Sequence, residues 1–246
     1  MAPLKNPAPP SSQSQRGAAL LLLLAMTSLG AAALLVSALG HSGLEARRQQ
    51  LTVRRLSQAS EALVGFATSN GRLPRPAISA VDGRENPQPC DSEDSCTGFL
   101  PWVTLGIDGS DAWGKLLRYS VTPAYTILPV QRLSAVATKA VQTRATDGQL
   151  YYLVGQDICT QASPCAPAVI LSHGKNNLGT SLSGQPQPNS ASGNIDELYN
   201  ALATSTFISR AATDDPRAPG GAYDDQLAVL SLATLYKQMH AAHKLR

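Results

Sequence analysis

The sequence predicts an α+β fold in which a long N-terminal helix, membrane-spanning in its first half, packs on a small antiparallel sheet with disulfide-strapped loops. Three observations lead to this prediction. Residues 18–40 contain no charged side chain, and residues 41–70 continue without proline and with apolar residues at helical spacing. Residues 71–246 hold short strand-like runs between loops that contain Gly, Pro and Asp. The chain of 246 residues is long enough for one domain with a sizeable core.

The uncharged run is the most informative segment. As a helix, residues 18–40 would be about 35 Å long, enough to cross a hydrocarbon core of about 30 Å. A basic, Pro- and Ser-rich leader, residues 1–17, precedes the run. A secretory signal has its small-residue cleavage site after the apolar region, whereas Gly17 and Ala18 come before it. The run is therefore expected to remain in the mature protein as a transmembrane helix, either as a plain anchor or as a helix that packs against others.

Residues 41–70 are predicted to continue this helix into an extracytoplasmic α+β domain, residues 71–246. Asn70-Gly71 followed by Pro74 is a typical helix end. The apolar stripe expected to face the sheet consists of Leu51, Leu56, Ala59, Leu63 and Phe66.

Strand-like runs are expected beyond residue 115, separated by turn-rich segments. They are residues 116–121, 125–130, 150–154, 168–172 and 227–232. The last run could also begin a helix that extends to Met239. Loops are expected at residues 71–100, 174–194 and 214–221.

The four cysteines form two close pairs in sequence, Cys90 with Cys96 and Cys159 with Cys165. Four cysteines allow three connectivities, and local closure within each pair is the simplest. Each short loop would contribute about 2–2.5 kcal/mol on the chain-entropy estimate. A zinc site is the alternative, but structural zinc favours a closer thiolate spacing than five intervening residues. The cysteines therefore indicate disulfides and an oxidising compartment.

The positions of the charged residues predict an orientation across the membrane opposite to the one that the cysteines favour. Lys5 and Arg16 precede the apolar run, whereas Arg47, Arg48, Arg54 and Arg55 follow it. Counting positive charges would place the C-terminal domain in the cytoplasm. The cysteines and the leader together favour a periplasmic domain on a single-pass inner-membrane protein. The formal net charge of +3 gives no reason to expect a nucleic-acid partner.

No catalytic constellation is found in the sequence. It lacks a His-Glu-x-x-His motif, a phosphate-binding loop and a Gly-x-Ser-x-Gly elbow. His173 is expected to be a loop residue, and His240 and His243 are expected in a solvated tail. Enzymatic activity is not expected.

The residues Gln15-Arg16-Gly17 before an unbroken apolar helix resemble the cleavage site of type IV pilins and type II secretion pseudopilins. The resemblance implies a pilin-like fold and cleavage after Gly17 by a prepilin peptidase. Ala18 then becomes the N-terminus, where the family usually has an N-methylated Phe. It also implies assembly through the N-terminal helix into a pilus or a secretion pseudopilus. The implied partners are other pilins or pseudopilins and an inner-membrane assembly platform.

Leu22 stands at the fifth position after the expected cut, where the family typically has Glu. In the family, that carboxylate offsets the N-terminal amine of a neighbouring subunit. The minor pseudopilin thought to occupy the filament tip also lacks it. A tip subunit has no neighbour above it, so the resemblance implies a minor, tip-like role. A membrane-anchored periplasmic binding module that is not part of a filament is the alternative.

Weaker resemblances concern the C-terminal domain. Asp111-Ala112-Trp113-Gly114 is similar to the Asp-Pro-Trp-Gly turn of the major pseudopilin. Asp111 and Gly114 suit the ends of a type I turn. Trp102 and Trp113 are expected to anchor the core rather than to form a ligand cage.

A C-terminal loop of the family often binds calcium, and the Gly-rich segment after residue 172 resembles it. The oxygen donors that this chain offers are Asn176, Asn177, Asp214, Asp215, Asp224 and Asp225. Asn176, Asn177, Asp224 and Asp225 are the calcium candidates. The alternative is that they cap turns. No other cofactor is expected.

Overall fold

The structure is a computed structural model that describes residues 14–176, 178–189, 191 and 193–245. Its side chains are described from residue 20 to 28 and from residue 43 onward. The chain divides into two compact units, Met1–Arg47 and Arg48–Arg246. All helix packing and all strand pairing considered below lie within the second unit.

Helices and strands alternate irregularly along the chain. The helices are α1 (Ser14–Asn70), α2 (Trp102–Leu105), α3 (Ile195–Leu202) and α4 (Leu232–Ala241). The strands are β1 (Thr97–Phe99), β2 (Arg118–Val121), β3 (Ala140–Arg144), β4 (Leu150–Val154), β5 (Ala168–Ser172), β6 (Thr206–Ile208) and β7 (Gln226–Val229).

The strands form two sheets. One sheet has the order β1-β2-β5-β7, and all its pairs are antiparallel. The other has the order β4-β3-β6, in which β3 is antiparallel to β4 and parallel to β6. The α+β class and the antiparallel sheet are therefore confirmed. The expectation of one small sheet is wrong, because α3 carries the chain back to place β6 beside β3.

The membrane-spanning part of the predicted fold class is also wrong. Among the described residues, no helix is both long enough and apolar enough to cross a membrane. Beyond Gly43, α1 carries Glu45 and a series of arginines, which interrupt its apolar character.

The part of α1 within the second unit packs through a narrow apolar stripe. Leu56, Ala59, Leu63 and Ala67 are buried, at the three- and four-residue spacing of a helix face. Leu51, predicted to belong to this stripe, is 43% exposed. The alanines allow close approach, and truncating Leu63 to Ala would cost about 2–5 kcal/mol by the usual cavity penalty.

The end of α1 follows the sequence prediction. Gly71 adopts φ +74°, the left-handed conformation that favours glycine, and its N–H donates to the Ala67 carbonyl at 2.8 Å. The next residue, Arg72, pairs with Glu85, which also accepts from the Arg75 N–H at 2.8 Å. The helix end is thus fixed to the loop that follows it.

The stripe of α1 shares its hydrophobic cluster with the four-stranded sheet. Tyr119 and Ile170 from the sheet are fully buried in it, as are Leu235 and Met239 from α4. A second, smaller cluster lies under the three-stranded sheet and consists of Val141, Val169, Leu171 and Phe207. Strand β5 contributes to both clusters, and all five of its residues are buried.

Several predicted elements differ from the structure. The strand expected at residues 125–130 is absent from the described chain, where Pro123–Tyr125 forms a 3-10 turn. Prolines at 123 and 129 cannot donate to a sheet, which explains the difference. The ambiguous run 227–232 divides into β7 and α4, because the Ser231 hydroxyl caps α4 by accepting from the Thr234 N–H at 3.3 Å.

Trp102 is half-buried and lies outside the hydrophobic clusters, and its indole occupies a slot formed by two glycines. A Cβ on Gly83 would lie 2.1 Å from Trp102 Cε2, and one on Gly109 would lie 2.5 Å from Trp102 Cγ. Both distances are far below van der Waals contact. The indole therefore requires glycine at both positions. Trp113 is only half-buried.

We expect Gly109→Ala to destabilise the protein by about 1–3 kcal/mol, since its methyl group would displace Trp102. The matched control is Gly65→Ala on the exposed side of α1, where a Cβ has nothing within 4 Å. That change should stabilise the helix by about 0.5–1 kcal/mol. Urea unfolding measures both. Equal effects of the two substitutions would contradict the packing around Trp102.

Candidate metal centre

Three acidic side chains meet inside the second unit. Glu197 lies on α3, and Asp224 and Asp225 immediately precede β7. One carboxylate oxygen from each lies within 4.8 Å of the others. Glu197 and Asp225 are buried and Asp224 is half-buried. We call these three residues the acidic cluster.

Hydrogen bonds hold Glu197 and Asp225 in place. The Asn194 side-chain amide and the Asp224 N–H donate to the two oxygens of Glu197 at 2.9 and 2.8 Å. The Asn200 amide donates to Asp225 Oδ2 at 2.9 Å, and His173 Nδ1 lies 3.3 Å from Asp225 Oδ1. All four oxygens of these two carboxylates thus have a polar contact.

Asp224 is the member with an unsatisfied atom. Its Oδ2 accepts from the N–H groups of Lys175 and Asn176, both at 2.9 Å. Its Oδ1 is buried and has no hydrogen-bond partner among the described residues. Burial raises the pKa of Asp224 to about 7, and the charges of Glu197 and Asp225 add to this. Burial likewise raises the pKa of Glu197.

A buried lysine lies next to the acidic cluster. Lys115 Nζ donates to the His173 carbonyl at 3.3 Å and to the Asn176 carbonyl. Burial lowers the pKa of Lys115, and the charges of Asp224, Asp111 and Asp225 oppose this. The ammonium charge of Lys115 therefore offsets part of the negative charge of the acidic cluster.

The turn that positions Lys115 is the Asp111–Gly114 turn predicted from the sequence. Asp111 Oδ1 accepts from the N–H groups of Trp113 and Lys115, both at 2.9 Å. Its Oδ2 accepts from the Ser172 hydroxyl at 2.7 Å, which ties the turn to the end of β5. Gly114 adopts φ +80°, as the turn requires.

The acidic cluster fits calcium poorly. Calcium takes six to eight oxygen ligands, and the cluster consists of three carboxylates. Five of the six carboxylate oxygens already have polar partners, and only Asp224 Oδ1 lacks one. With an ammonium nearby and raised pKa values, the arrangement is better suited to retaining a proton at neutral pH.

The predicted calcium candidates are only partly brought together. Asp224 and Asp225 lie in the cluster, whereas Asn176 reaches it through its backbone N–H. Asn177 lies outside the described residues. Asp214 and Asp215 are exposed and are not among the clustered acids. Glu197 is not among the predicted candidates, because no helix was predicted over the residues of α3.

His173 is a loop residue, as predicted. It directly follows β5, is 5% exposed and contacts Asp225. His240 lies in the last turn of α4, and His243 follows that helix. Neither of these two contributes to the acidic cluster.

Both predicted disulfides are present. Cys90 is bonded to Cys96, and Cys159 is bonded to Cys165, so no free cysteine remains. Cys90 and Cys96 belong to the main hydrophobic cluster. Local connectivity is thereby confirmed over the alternative pairings and over zinc.

The predicted processing residues lie near the start of α1. Gly17 and Ala18 fall within its helical backbone, which begins at Ser14, and their side chains are outside the description. Leu22 is 64% exposed, and its apolar neighbours are exposed to a similar degree.

No protein-family model, curated protein or solved structure matches this chain.

Replacing Asp224 with Asn tests the protonation of the cluster. Because the pKa of Asp224 rises from 3.8 to about 7 on folding, its contribution to stability is complete below pH 3.8 and is lost as the pH rises to about 7. Asn stays neutral throughout. We therefore expect Asp224→Asn to gain about 1–2 kcal/mol relative to the unsubstituted protein between about pH 5 and pH 8.

Urea unfolding at both pH values measures this gain. Asp215→Asn is the control, since Asp215 is exposed and lies outside the acidic cluster. A pH-independent effect of Asp224→Asn would contradict a protonated Asp224 in the folded state.

Proposed function

We propose that this protein is a minor, tip-like pilin or pseudopilin, processed after Gly17 by a prepilin peptidase and assembled through its N-terminal helix. The filament is a type IV pilus or a type II secretion pseudopilus. Its partners are other pilins or pseudopilins and an inner-membrane assembly platform. The function is structural rather than catalytic.

One observation carries this proposal. Arg16-Gly17-Ala18 opens an uncharged run of residues, 18–40, within the continuous helix α1. The same helix supplies the buried stripe of a disulfide-strapped α+β unit. A processing junction directly before such an uncharged run is the feature that the resemblance to pilins requires.

Leu22 supports the minor role. Its side chain is uncharged and exposed, so it cannot offer a carboxylate to the N-terminal amine of another subunit. A subunit of this kind suits a position without a neighbour above it. The two disulfides support a periplasmic location for residues 48–246, because such bonds persist in oxidising compartments.

Co-expression with a prepilin peptidase tests the processing step. We expect the intact mass to fall by that of residues 1–17, and Gly17→Glu to abolish the fall. Gly43→Glu is the matched control, since Gly43 lies on the same helix with nothing within 4 Å of a Cβ. An unchanged mass in the presence of active peptidase would overturn the proposal.

A thiol count tests the compartment separately. Free thiols are alkylated inside cells, and the protein is then denatured without reduction. None of its four cysteines should carry the alkylating reagent. Extensive alkylation would place residues 48–246 in a reducing compartment and leave the disulfide argument without support.

A groove favours a second candidate function, that of a periplasmic binding module outside any filament. Its volume is about 790 Å³, and Arg132 is the charged residue among its described lining. The Arg132 guanidinium lies 5.9 Å from the centre of the Tyr236 ring. This function would survive Gly17→Glu, which separates it from the filament role.

A further inference from the structure

The groove that contains Arg132 has two walls that are tied together. One wall is the loop closed by the Cys159–Cys165 disulfide, and the other is formed by residues 132–135. The Gln161 amide joins them by donating to the Ala135 carbonyl at 2.8 Å. The ends of β4 and β7 and the first turns of α4 complete the lining. Its volume of about 790 Å³ falls within the range of about 300–1,000 Å³ that is typical of small-molecule sites.

The described lining of the groove is mostly apolar and contains no acidic residue. Leu133 is 91% exposed, and Val154, Val229 and Leu232 are only partly buried. These side chains keep apolar surface in contact with water, and a bound apolar ligand would cover it. The groove therefore suits a ligand that is largely apolar and carries no positive charge.

The uncharged polar side chains of the described lining already have hydrogen-bond partners. The Thr160 hydroxyl accepts from a backbone N–H of its own loop at 3.1 Å. The Ser231 hydroxyl accepts from a backbone N–H of α4 at 3.3 Å, and the Gln161 amide donates across the groove walls. A bound peptide would bring an N–H and a carbonyl at nearly every residue, and these groups would find few partners here. The lining therefore favours a ligand whose polar atoms are confined to one end.

Arg132 is positioned to bind that polar end. Its guanidinium lies over the Tyr236 ring, and no hydrogen bond or ion pair links Arg132 to another described residue. The Tyr236 hydroxyl is hydrogen-bonded to the Tyr125 hydroxyl at 2.6 Å, which fixes the ring beneath the guanidinium. The planar N–H groups of a guanidinium match the two oxygens of a carboxylate. The charged end of the ligand is therefore expected to be a carboxylate.

We propose that this groove binds a free fatty acid, with the carboxylate on Arg132 and the alkyl chain along the apolar lining. Charge complementarity determines the anionic end, and the lack of unpartnered polar side chains in the described lining determines the alkyl chain. This inference deepens the second candidate function, on which it rests. It does not depend on cleavage at Gly17, so its failure is distinguishable from a failure of the filament role.

Photolabelling of the full-length chain tests the proposal. The probe is decanoic acid with a diazirine on its alkyl chain, and mass spectrometry identifies the labelled residues. We expect label on residues that line the groove, and we expect unlabelled decanoate to compete with it. A matched probe with a hydroxyl in place of the carboxylate should label the groove at least about fivefold less, because it lacks the charge-assisted hydrogen bonds to Arg132. Label on residues 18–40 measures the nonspecific partitioning of both probes.

Substitutions at Arg132 separate the role of its charge from a structural role. Arg132→Ala should reduce groove labelling at least about fivefold, and Arg132→Lys should restore most of it by returning the positive charge. Arg217→Ala is the matched control, since Arg217 is exposed and lies outside the groove. Thermal melting checks that each variant is folded.

Competition completes the test. Hexanoate, octanoate and decanoate should compete with increasing strength, by about fourfold for each added methylene group. The proposal is overturned if the hydroxyl probe labels the groove as strongly as the acid, or if Arg132→Ala and Arg217→Ala behave alike. Trileucine competing at a lower concentration than decanoate would assign the groove to a peptide instead. Labelling that falls as the protein concentration rises would assign it to a second copy of the chain, and either result overturns the proposal.

Discussion

The packing of the α1 stripe against the four-stranded sheet is the interaction on which the rest of the second unit depends. Leu56 and Leu63 close the main hydrophobic cluster over the sheet. The same stretch of helix ties down the Asp111 turn, since Arg55 donates to the Asp111 carbonyl at 2.7 Å and pairs with Asp108 at 2.8 Å. That turn in turn places Lys115 beside the acidic cluster.

The acidic cluster and α3 form one polar assembly. Glu197 and Asn200 leave adjacent turns of α3 and reach Asp224 and Asp225 before β7, so the helix is held by amides, carboxylates and backbone N–H groups rather than by apolar packing. A network of this kind fixes a unique orientation, because a half-satisfied network in a low-dielectric interior is costly. The apolar residues of α3 face outward as a consequence.

The sequence determined the features that depend on local chemistry. The end of α1 at Gly71, the Asp111 turn and the two disulfides follow from residue types at short spacing, and all were predicted. Strand β3 was not predicted, because buried and exposed positions do not alternate along Ala140–Arg144. Glu197 could not be placed near Asp224, since their proximity depends on the long-range pairing of β3 with β6. An acidic pair at the start of a short apolar-striped helix was the only local signal.

The hydrogen bonds of Asn200 also affect how the three-stranded sheet ends. Its side-chain amide occupies both the N–H and the carbonyl of Ile208, so it stands where a further strand would pair with β6. Strand β4 forms the opposite edge, with Tyr151 and Leu153 exposed and no comparable side chain described beside it. Growth of this sheet by an added strand, whether in assembly or in aggregation, is therefore directed to β4.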